Sequence, residues 1–246
     1  MATYVDDGVV LRTTRLGEAD RIVTVLTRRH GKIRAVARGV RRTSSRFGAR
    51  LEPFSQADLQ VVEGRTLHTI AQAVTRHPYG KAFLEDYGAF TAAEAMVETA
   101  DRMVPEEGSP AQRHYLLLIG ALRTLGEGTP DGPRPPGLIL DSYLIRAAAA
   151  SGYAPILDVC ARCGAGGPHE FFHPPSGGVV CRACRPSGSS SLGPGTLAYL
   201  KALSTGDWPQ TREIPAQQRG EASGIIAAFL RWHLERSVTS LAFVER

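Results

Sequence analysis

The chain has 246 residues, of which 43% are hydrophobic and 22% are charged, and these values are ordinary for a soluble globular protein of one or two domains. The first ten residues carry two aspartates and no long apolar run, so no signal peptide is predicted. The longest apolar run elsewhere is too short to cross a bilayer. We therefore expect a cytoplasmic protein with no membrane contact.

The positive charge of the chain is concentrated at its N-terminus. The formal net charge is +5. Residues 1–50 hold twelve Lys or Arg and four Asp or Glu, whereas the remaining residues hold seventeen basic and twenty acidic side chains. Such an asymmetry indicates a polyanionic partner for the first fifth of the chain.

The first 77 residues predict a small β-barrel. Short segments rich in Val, Ile and Thr are typical of strands on a pleated, half-buried surface. The strands are predicted at residues 8–16, 21–27, 32–39, 57–62 and 65–74. His30-Gly31 and Glu63-Gly64 are turn signals, and the second pair predicts a two-residue hairpin. Five short strands in about seventy residues favour a closed or partly closed barrel.

After His77-Pro78 the pattern changes to helix, because apolar side chains recur at helical spacing. Helices are predicted at residues 83–104, 109–125, 138–152, 196–204 and 221–236. The sequence therefore predicts an α+β protein. We expect a barrel domain at residues 1–78 and a helical domain at residues 79–246.

All four cysteines lie in one segment with the spacing C-x2-C-x17-C-x2-C. They are Cys160, Cys163, Cys181 and Cys184. In a reducing compartment such pairs are metal ligands more often than disulfides, and two CxxC turns bring four thiolates to one tetrahedral zinc ion. We predict one structural Zn²⁺ in a zinc knuckle at about residues 158–187, with two short strands at 171–172 and 179–180. A closed four-cysteine shell leaves no position for water or substrate.

Several alternatives to this interpretation stay open. A redox dithiol typically has one CxxC beside a βαβ unit, and the sequence contains no such unit. His169 or His173 could replace a cysteine as ligand, although four cysteines already complete the shell. Three arginines near the cysteines leave open a secondary contact with DNA: Arg162, Arg182 and Arg185.

Nine basic residues and no acidic residue lie between positions 28 and 50. They are Arg28, Arg29, Lys32, Arg34, Arg38, Arg41, Arg42, Arg46 and Arg50. Phosphates would relieve their mutual repulsion, and a guanidinium group can bind a phosphate through two parallel hydrogen bonds. We therefore predict a DNA-binding surface here. The alternatives are a solvated surface patch and a docking site for an acidic protein.

Aromatic side chains for base stacking are scarce in this region. The first 77 residues contain only Tyr4, Phe47 and Phe54. The predicted contact is therefore electrostatic, to the phosphate backbone, and indifferent to base sequence. Phe47 lies inside the basic loop and is the best stacking candidate.

Enzymatic motifs are missing from the sequence. It contains no GxxxxGK[ST], GxSxG, HExxH or GxGxxG pattern. Asp20 lies near the basic region, but one carboxylate does not form a two-metal nuclease site. We expect neither an enzyme nor a small-molecule substrate.

The chain resembles the RecO family of bacterial recombination mediators from end to end. The N-terminal resemblance is carried by DDGVVLRTTRLGEADRIVTVLTRRHGKIRAVARGVRR and LEPFSQADLQVVEGRTLHTIAQA, and that of the knuckle by CARCG and CRAC. It implies an oligonucleotide-binding (OB) barrel fused to a helical domain with the zinc knuckle.

The same resemblance implies a function at the nucleoid. The family binds single- and double-stranded DNA, anneals complementary strands and works with RecR. Through that complex it helps the RecA recombinase replace the single-strand-binding protein SSB. The main alternative is a zinc-ribbon adaptor whose basic face docks an acidic protein, and a nuclease is a more distant one.

Overall fold

The computed structural model describes residues 2–45, 47–104, 107–233 and 238–244. The chain divides into two compact units, Met1–Gly126 and Glu127–Arg246. The first unit contains a β-barrel and the helices that follow it, and the second contains further helices and a small sheet. The α+β class predicted from the sequence is confirmed. The division of the chain into domains at residue 78 stays a prediction.

The first unit is built on a closed barrel with the strand order β1-β2-β3-β5-β4. Its strands are β1 (Thr3–Leu16), β2 (Asp20–Thr27), β3 (Gly31–Ala37), β4 (Ser55–Val62) and β5 (His68–Pro78). All neighbouring strands are antiparallel except β3 and β5, which run parallel. A five-stranded barrel of this kind is the predicted OB architecture.

Alternation of side chains along β3 explains how this strand closes the core. Ile33, Ala35 and Ala37 are buried in the barrel, whereas Arg34 and Val36 are half-buried on its outer face. This pattern agrees with the alternation in the sequence, because successive side chains of a strand point to opposite faces. Strand β3 therefore presents a basic outer surface over an apolar inner one.

Two features of the barrel differ from the sequence-based expectations. Strand β1 begins at Thr3, earlier than predicted, because its first half pairs with β4 and its second half with β2. The connection between β4 and β5 spans residues 63–67, so the prediction of a two-residue hairpin at Glu63-Gly64 is wrong. This wider loop folds back on itself, and a Cβ at Gly64 would lie 1.9 Å from the carbonyl oxygen of Leu67.

Six helices are present in the described part of the chain. They are α1 (Gly80–Phe83), α2 (Tyr87–Met103), α3 (Gln112–Glu127), α4 (Pro136–Ala150), α5 (Thr196–Thr205) and α6 (Ala216–His233). The helix predicted at 83–104 begins instead at Tyr87, because the carboxylate of Asp86 caps α2 by accepting the N–H of Ala89 at 2.9 Å. The predicted end of the last helix, residues 234–236, lies outside the described residues. None of the helices described is both long and apolar enough to span a bilayer.

The second unit combines helices α4, α5 and α6 with a three-stranded sheet in the order β7-β6-β8. The strands are β6 (Phe171–His173), β7 (Gly178–Val180) and β8 (Ser190–Ser191). Phe172 of β6 packs edge-to-face on Phe229 of α6, with ring centroids 6.0 Å apart. The two strands predicted between the CxxC pairs are thus β6 and β7.

One buried carboxylate fixes the turn between β2 and β3. The side chain of Asp6, 1% exposed, accepts the backbone N–H groups of Asp7, Arg29 and His30, and its Oδ2 lies 2.6 Å from Nδ1 of His30. Burial alone would raise the pKa of Asp6, but these hydrogen bonds outweigh burial and hold that pKa below its usual value. The ring of Tyr4 stacks on His30 with centroids 3.9 Å apart.

Residues 107–109 run beside the start of β3. Gly108 donates its N–H to the carbonyl of Lys32 at 2.9 Å. Gly31 has a φ of +66°, and a Cβ added there would lie 1.8 Å from the carbonyl oxygen of Ser109. Gly31 is therefore required both for its backbone conformation and for this close approach.

We expect Gly31→Ala to destabilise the protein more than Gly17→Ala. Both glycines have positive φ, +66° and +58°, so both substitutions incur the cost of about 1–2 kcal/mol for an L-residue in the left-handed region. Only Gly31 would also clash, because nothing lies within 4 Å of a Cβ at Gly17. Urea denaturation measures both variants, and equal reductions in the free energy of unfolding would contradict the close approach.

Asp6→Asn should lower the free energy of unfolding at neutral pH by about 2 kcal/mol, because hydrogen bonds to a charged group are removed. The stabilisation by Asp6 is present above the unfolded-state pKa of about 3.9 and is lost as pH falls through the lower folded-state pKa. The difference between wild type and variant should therefore shrink below about pH 4. Asp58→Asn, which removes a surface partner of Arg76, is the control. A difference independent of pH would contradict the role of the Asp6 charge.

Candidate metal centre and nucleic-acid interface

The four cysteines come together as the spacing predicts. Their Sγ atoms all lie within 4.8 Å of one another, and those of Cys163 and Cys181 are 3.9 Å apart. All four are free of disulfide bonds. A tetrahedral zinc ion with Zn–S distances near 2.3 Å would place its sulfur ligands about 3.8 Å apart. The cluster therefore fits one metal ion of this size.

Backbone hydrogen bonds build the two CxxC turns. Gly164, with a φ of +75°, donates its N–H to the carbonyl of Cys160 at 2.8 Å, and Cys184 donates to the carbonyl of Cys181 at 3.1 Å. The N–H of Cys181 also points at Sγ of Cys160, 3.4 Å away. Each knuckle is thus shaped by the main chain around its two sulfur atoms.

Hydrogen bonds within the cluster shift the pKa values of two of its thiols in opposite directions. The hydrogen bond from the N–H of Cys181 lowers the pKa of Cys160 to about 6 and so favours its thiolate. Hydrogen bonds with the thiols of Cys163 and Cys181 raise the pKa of Cys184 to about 12. A cation between the sulfur atoms would favour the thiolate form of the cysteines that bind it.

The side chains around the cysteines make contacts of their own. Cys160 packs with Phe171 and Val180 in a small apolar cluster. His169 bonds the carbonyl of Ala165 at 2.9 Å, and His173 bonds Oγ of Ser176 at 2.8 Å. Among the residues that the structure describes, the side chains that come together as possible metal ligands are the four cysteines, without a histidine or a carboxylate.

The three arginines near the knuckle are each engaged within the protein. Arg162 donates to the carbonyl of Cys184 at 2.9 Å, and the Arg185 guanidinium lies 4.1 Å from the centroid of the Phe171 ring. Arg182 forms an exposed ion pair with Glu170 at 3.3 Å. Their contact with DNA stays a prediction.

Carboxylates from elsewhere in the chain neutralise part of the basic stretch. The pairs are Arg29–Asp6, Lys32–Asp101 and Arg34–Glu107. Lys32 is 8% exposed, and its Nζ lies 2.7 Å from the carbonyl of Asp101 and 2.9 Å from its carboxylate. Lys32 therefore joins β3 to α2 and does not face solvent.

Asp101 also accepts a hydrogen bond from Nε of Arg12 at 2.9 Å. Burial alone would raise the pKa of Asp101, but the bonds from Lys32 and Arg12 outweigh burial and hold that pKa below its usual value. The carboxylate is thus charged at neutral pH, and one acidic side chain of α2 neutralises charge from two strands of the barrel.

The remaining basic residues of the stretch that the structure describes are exposed. They are Arg28, Arg38, Arg41, Arg42 and Arg50, while Arg46 lies outside the described residues. Arg38, Arg41 and Arg42 follow directly after β3. Arg41 anchors this segment to the turn between β1 and β2, because its backbone N–H donates to Ala19 at 3.0 Å and its guanidinium to the carbonyl of Glu18 at 2.8 Å. These three arginines form what we call the β3-end cluster.

The paired ends of the strands extend this cluster in a way that the sequence alone did not show. Strand register places Arg15, Arg21 and Ala37 in one row across β1, β2 and β3. Arg15, at the end of β1, is exposed and adds a further cation beside the β1–β2 turn. The sequence places Arg15 at the end of a predicted strand, but only the register decides which residues of the other strands lie beside it.

The prediction that Phe47 stacks on bases is wrong. Its side chain is 1% exposed, because the connection between β3 and β4 folds inward and Phe47 fills the barrel core with Leu51. Phe54 is also buried, and Tyr4 stacks on His30. None of the three aromatic rings of the barrel region is exposed as a stacking platform.

Comparisons with known proteins match one family along nearly the whole chain. The family model described as Recombination protein O N terminal matches residues 1–79, and Recombination protein O C terminal matches residues 84–242. Proteins named DNA repair protein RecO are 56% identical in Cutibacterium acnes and 52% in Thermobifida fusca, each over 246 residues and 100% of both chains. The homologue of Streptomyces griseus is 50% identical over 252 residues, again with 100% of both chains covered. With both halves matched and relatives of such identity along their full length, the chain belongs to the RecO family of DNA repair proteins.

Proposed function

We propose that the protein binds single- and double-stranded DNA through the β3-end cluster and anneals complementary strands. One observation carries this proposal. Arg38, Arg41 and Arg42 are exposed side by side, and none of them forms an ion pair with any residue that the structure describes. Arg28 and Arg50 are further exposed cations of the same stretch, whereas Lys32 is left out of this surface because it is buried against Asp101.

The chemistry of annealing suits such a surface. Two DNA strands repel each other through their phosphates, and guanidinium groups reduce that repulsion by binding phosphate oxygens. Because the aromatic rings of the barrel are occupied in packing, the bases are left free to pair. Base pairing itself releases the free energy, so the protein needs no nucleotide hydrolysis and need not be an enzyme.

Membership of the RecO family supports a wider role as a recombination mediator. The protein would act with RecR at the cytoplasmic nucleoid and help RecA replace SSB on single-stranded DNA. In this scheme residues 1–78 bind DNA, and residues 79–246 form the helical domain that carries the knuckle.

For the knuckle, our proposal is one Zn²⁺ held by Cys160, Cys163, Cys181 and Cys184. Four thiolates close the coordination shell, so the ion supplies folding free energy and offers no position to a substrate. The proximity of the four sulfur atoms supports this site.

Replacing Arg38, Arg41 and Arg42 together by Ala should weaken single-strand binding and slow annealing. The slope of log affinity against log salt should become shallower by about two, at roughly 0.7 for each phosphate that the variant no longer binds. Fluorescence anisotropy and annealing of labelled complementary oligonucleotides, each at several salt concentrations, measure these effects.

The matched control replaces three other exposed arginines by Ala: Arg113, Arg123 and Arg231. It removes the same charge and should leave the salt slope and annealing rate close to wild type. Equal reductions in both variants would mean that net charge, and not the β3-end cluster, binds DNA. Weak DNA affinity in the wild type together with tight, salt-sensitive capture of an acidic protein would favour the adaptor function.

Purified protein should contain one zinc per chain by elemental analysis. Cys160→Ser or Cys181→Ser should lose the metal and several of the roughly 10–16 kcal/mol that zinc contributes in zinc-finger peptides at neutral pH. His169→Ala is the control, because this histidine bonds the Ala165 carbonyl instead, and it should keep the metal. Metal-free protein of full thermal stability would contradict the site.

A further inference from the structure

The segment that follows β3 carries exposed hydroxyl groups directly after two arginines. From residue 41 its sequence is RRTSSR, and the side chains of Thr43 and Ser44 are exposed. Neither hydroxyl forms a hydrogen bond with any other residue that the structure describes. The DNA-binding proposal uses the arginines of this segment and gives the two hydroxyl groups no role.

Two consecutive turns present these hydroxyl groups to solvent. Arg42 donates its backbone N–H to the carbonyl of Gly39 at 3.1 Å, and Ser45 donates to the carbonyl of Arg42 at 2.9 Å. The second bond makes Thr43 and Ser44 the central residues of a four-residue turn. Exposed loop tips with small polar residues are the places where proteases reach a folded chain, and a modifying enzyme needs the same access.

The third hydroxyl of the segment, that of Ser45, is engaged within the protein. Its Oγ accepts the backbone N–H of Phe47 at 3.2 Å, and the residue is half-buried. Because the side chain of Phe47 lies in the barrel core, moving Ser45 outward would break this bond. The accessible hydroxyl groups are therefore those of Thr43 and Ser44.

The preceding arginines distinguish Ser44 from Thr43. Arg41 and Arg42 lie three and two positions before Ser44. Protein kinases select substrates partly by charge, and carboxylates in a kinase groove can bind arginines that precede the acceptor hydroxyl. Arg42 is exposed, and the guanidinium of Arg41 bonds only exposed backbone carbonyls, those of Gly17 and Glu18. Both side chains can therefore exchange their surroundings for kinase carboxylates.

We propose that Ser44 is phosphorylated by a Ser/Thr protein kinase with an acidic substrate groove, and that this phosphate weakens DNA binding. The kinase transfers the γ-phosphoryl group of a nucleoside triphosphate. A bond forms between that phosphorus and Oγ of Ser44, and the bond from the phosphorus to the β-phosphate oxygen breaks. The hydroxyl proton passes to a base of the kinase, and the nucleoside diphosphate leaves.

A phosphate on Ser44 would neutralise the β3-end cluster from within the protein. Phosphoserine carries a charge of about −1.5 to −2 at neutral pH, and its oxygens accept strong hydrogen bonds from guanidinium groups. These bonds compete with those that the phosphates of DNA would form. The effect on DNA rests on the function proposed above, whereas the modification itself does not.

Mass spectrometry tests the modification on full-length protein isolated from the cells that make it, during growth and after DNA damage. We expect phosphate on Ser44 in at least one of these conditions. The protease should cleave after carboxylates, because trypsin would cut at Arg42 and leave a peptide too short to identify. Absence of phosphate from Ser44 in both conditions, or phosphate on Thr43 alone, would overturn the proposal.

Arg42→Ala tests how the kinase recognises the segment. In the same cells this variant should lower the phosphorylated fraction of Ser44 several-fold, because one of the two preceding arginines is lost. Arg113→Ala, at an exposed position of α3, is the matched control and should keep the fraction of wild type. An unchanged fraction in Arg42→Ala would contradict recognition by charge.

Phosphoserine incorporated at position 44 during translation tests the effect on DNA. Single-strand binding should weaken roughly ten- to thirtyfold at about 0.1 M salt, and the salt slope should become shallower by about 1.4, if two phosphate contacts are lost. Ser44→Asp should change the slope by about half as much, and Ser44→Ala should match wild type. Gln217→Glu, which adds one negative charge at an exposed position of α6, is the matched control and should also match wild type.

Comparison with the triple arginine variant separates failure of this inference from failure of the proposed function. If Ala at Arg38, Arg41 and Arg42 weakens DNA binding but phosphoserine at position 44 does not, the cluster binds DNA and the regulatory role of Ser44 is wrong. If neither change affects binding, the DNA surface lies elsewhere and the regulatory role is wrong with it. Phosphate on Ser44 in the isolated protein would then still establish the modification.

Discussion

Carboxylates from distant segments of the first unit neutralise part of its basic stretch. Strand β3 and the turn before it carry several cations, and three carboxylates from other segments pair with Arg29, Lys32 and Arg34. Asp101 of α2 is the most consequential of them, because it bonds both Lys32 and Arg12. These pairs leave the arginines at the end of β3, together with Arg28 and Arg50, exposed to solvent.

The features predicted correctly from the sequence are those that depend on local pattern. The run of Val, Ile and Thr at residues 21–27 predicted strand β2, and the spacing of four cysteines predicted their convergence. The pairing of Lys32 with Asp101 could not be predicted, because the two residues are far apart in sequence and meet only when α2 packs on the barrel. The burial of Phe47 could not be predicted either, because the polar, arginine-rich loop around it does not indicate that the chain folds back into the core.

The two units achieve their stability by different means. The barrel has a continuous core of buried apolar residues from five strands. The sheet of the second unit has strands of only two or three residues, which are too short to be stable alone. Packing of Phe172 against α6 supports that short sheet, and a metal ion held by the four cysteines would add folding free energy.

The short parallel pairing between β3 and β5 has a consequence for folding kinetics. Strands β1, β2 and β3 are joined by tight turns and can form early as a meander, because their contacts are local in sequence. The barrel closes only when β5, which follows β4 in the sequence, pairs with β3. That pairing consists of two residue pairs. An intermediate that has not yet closed would expose the side chains of Phe47 and Leu51. These two side chains are therefore buried only once the barrel has closed.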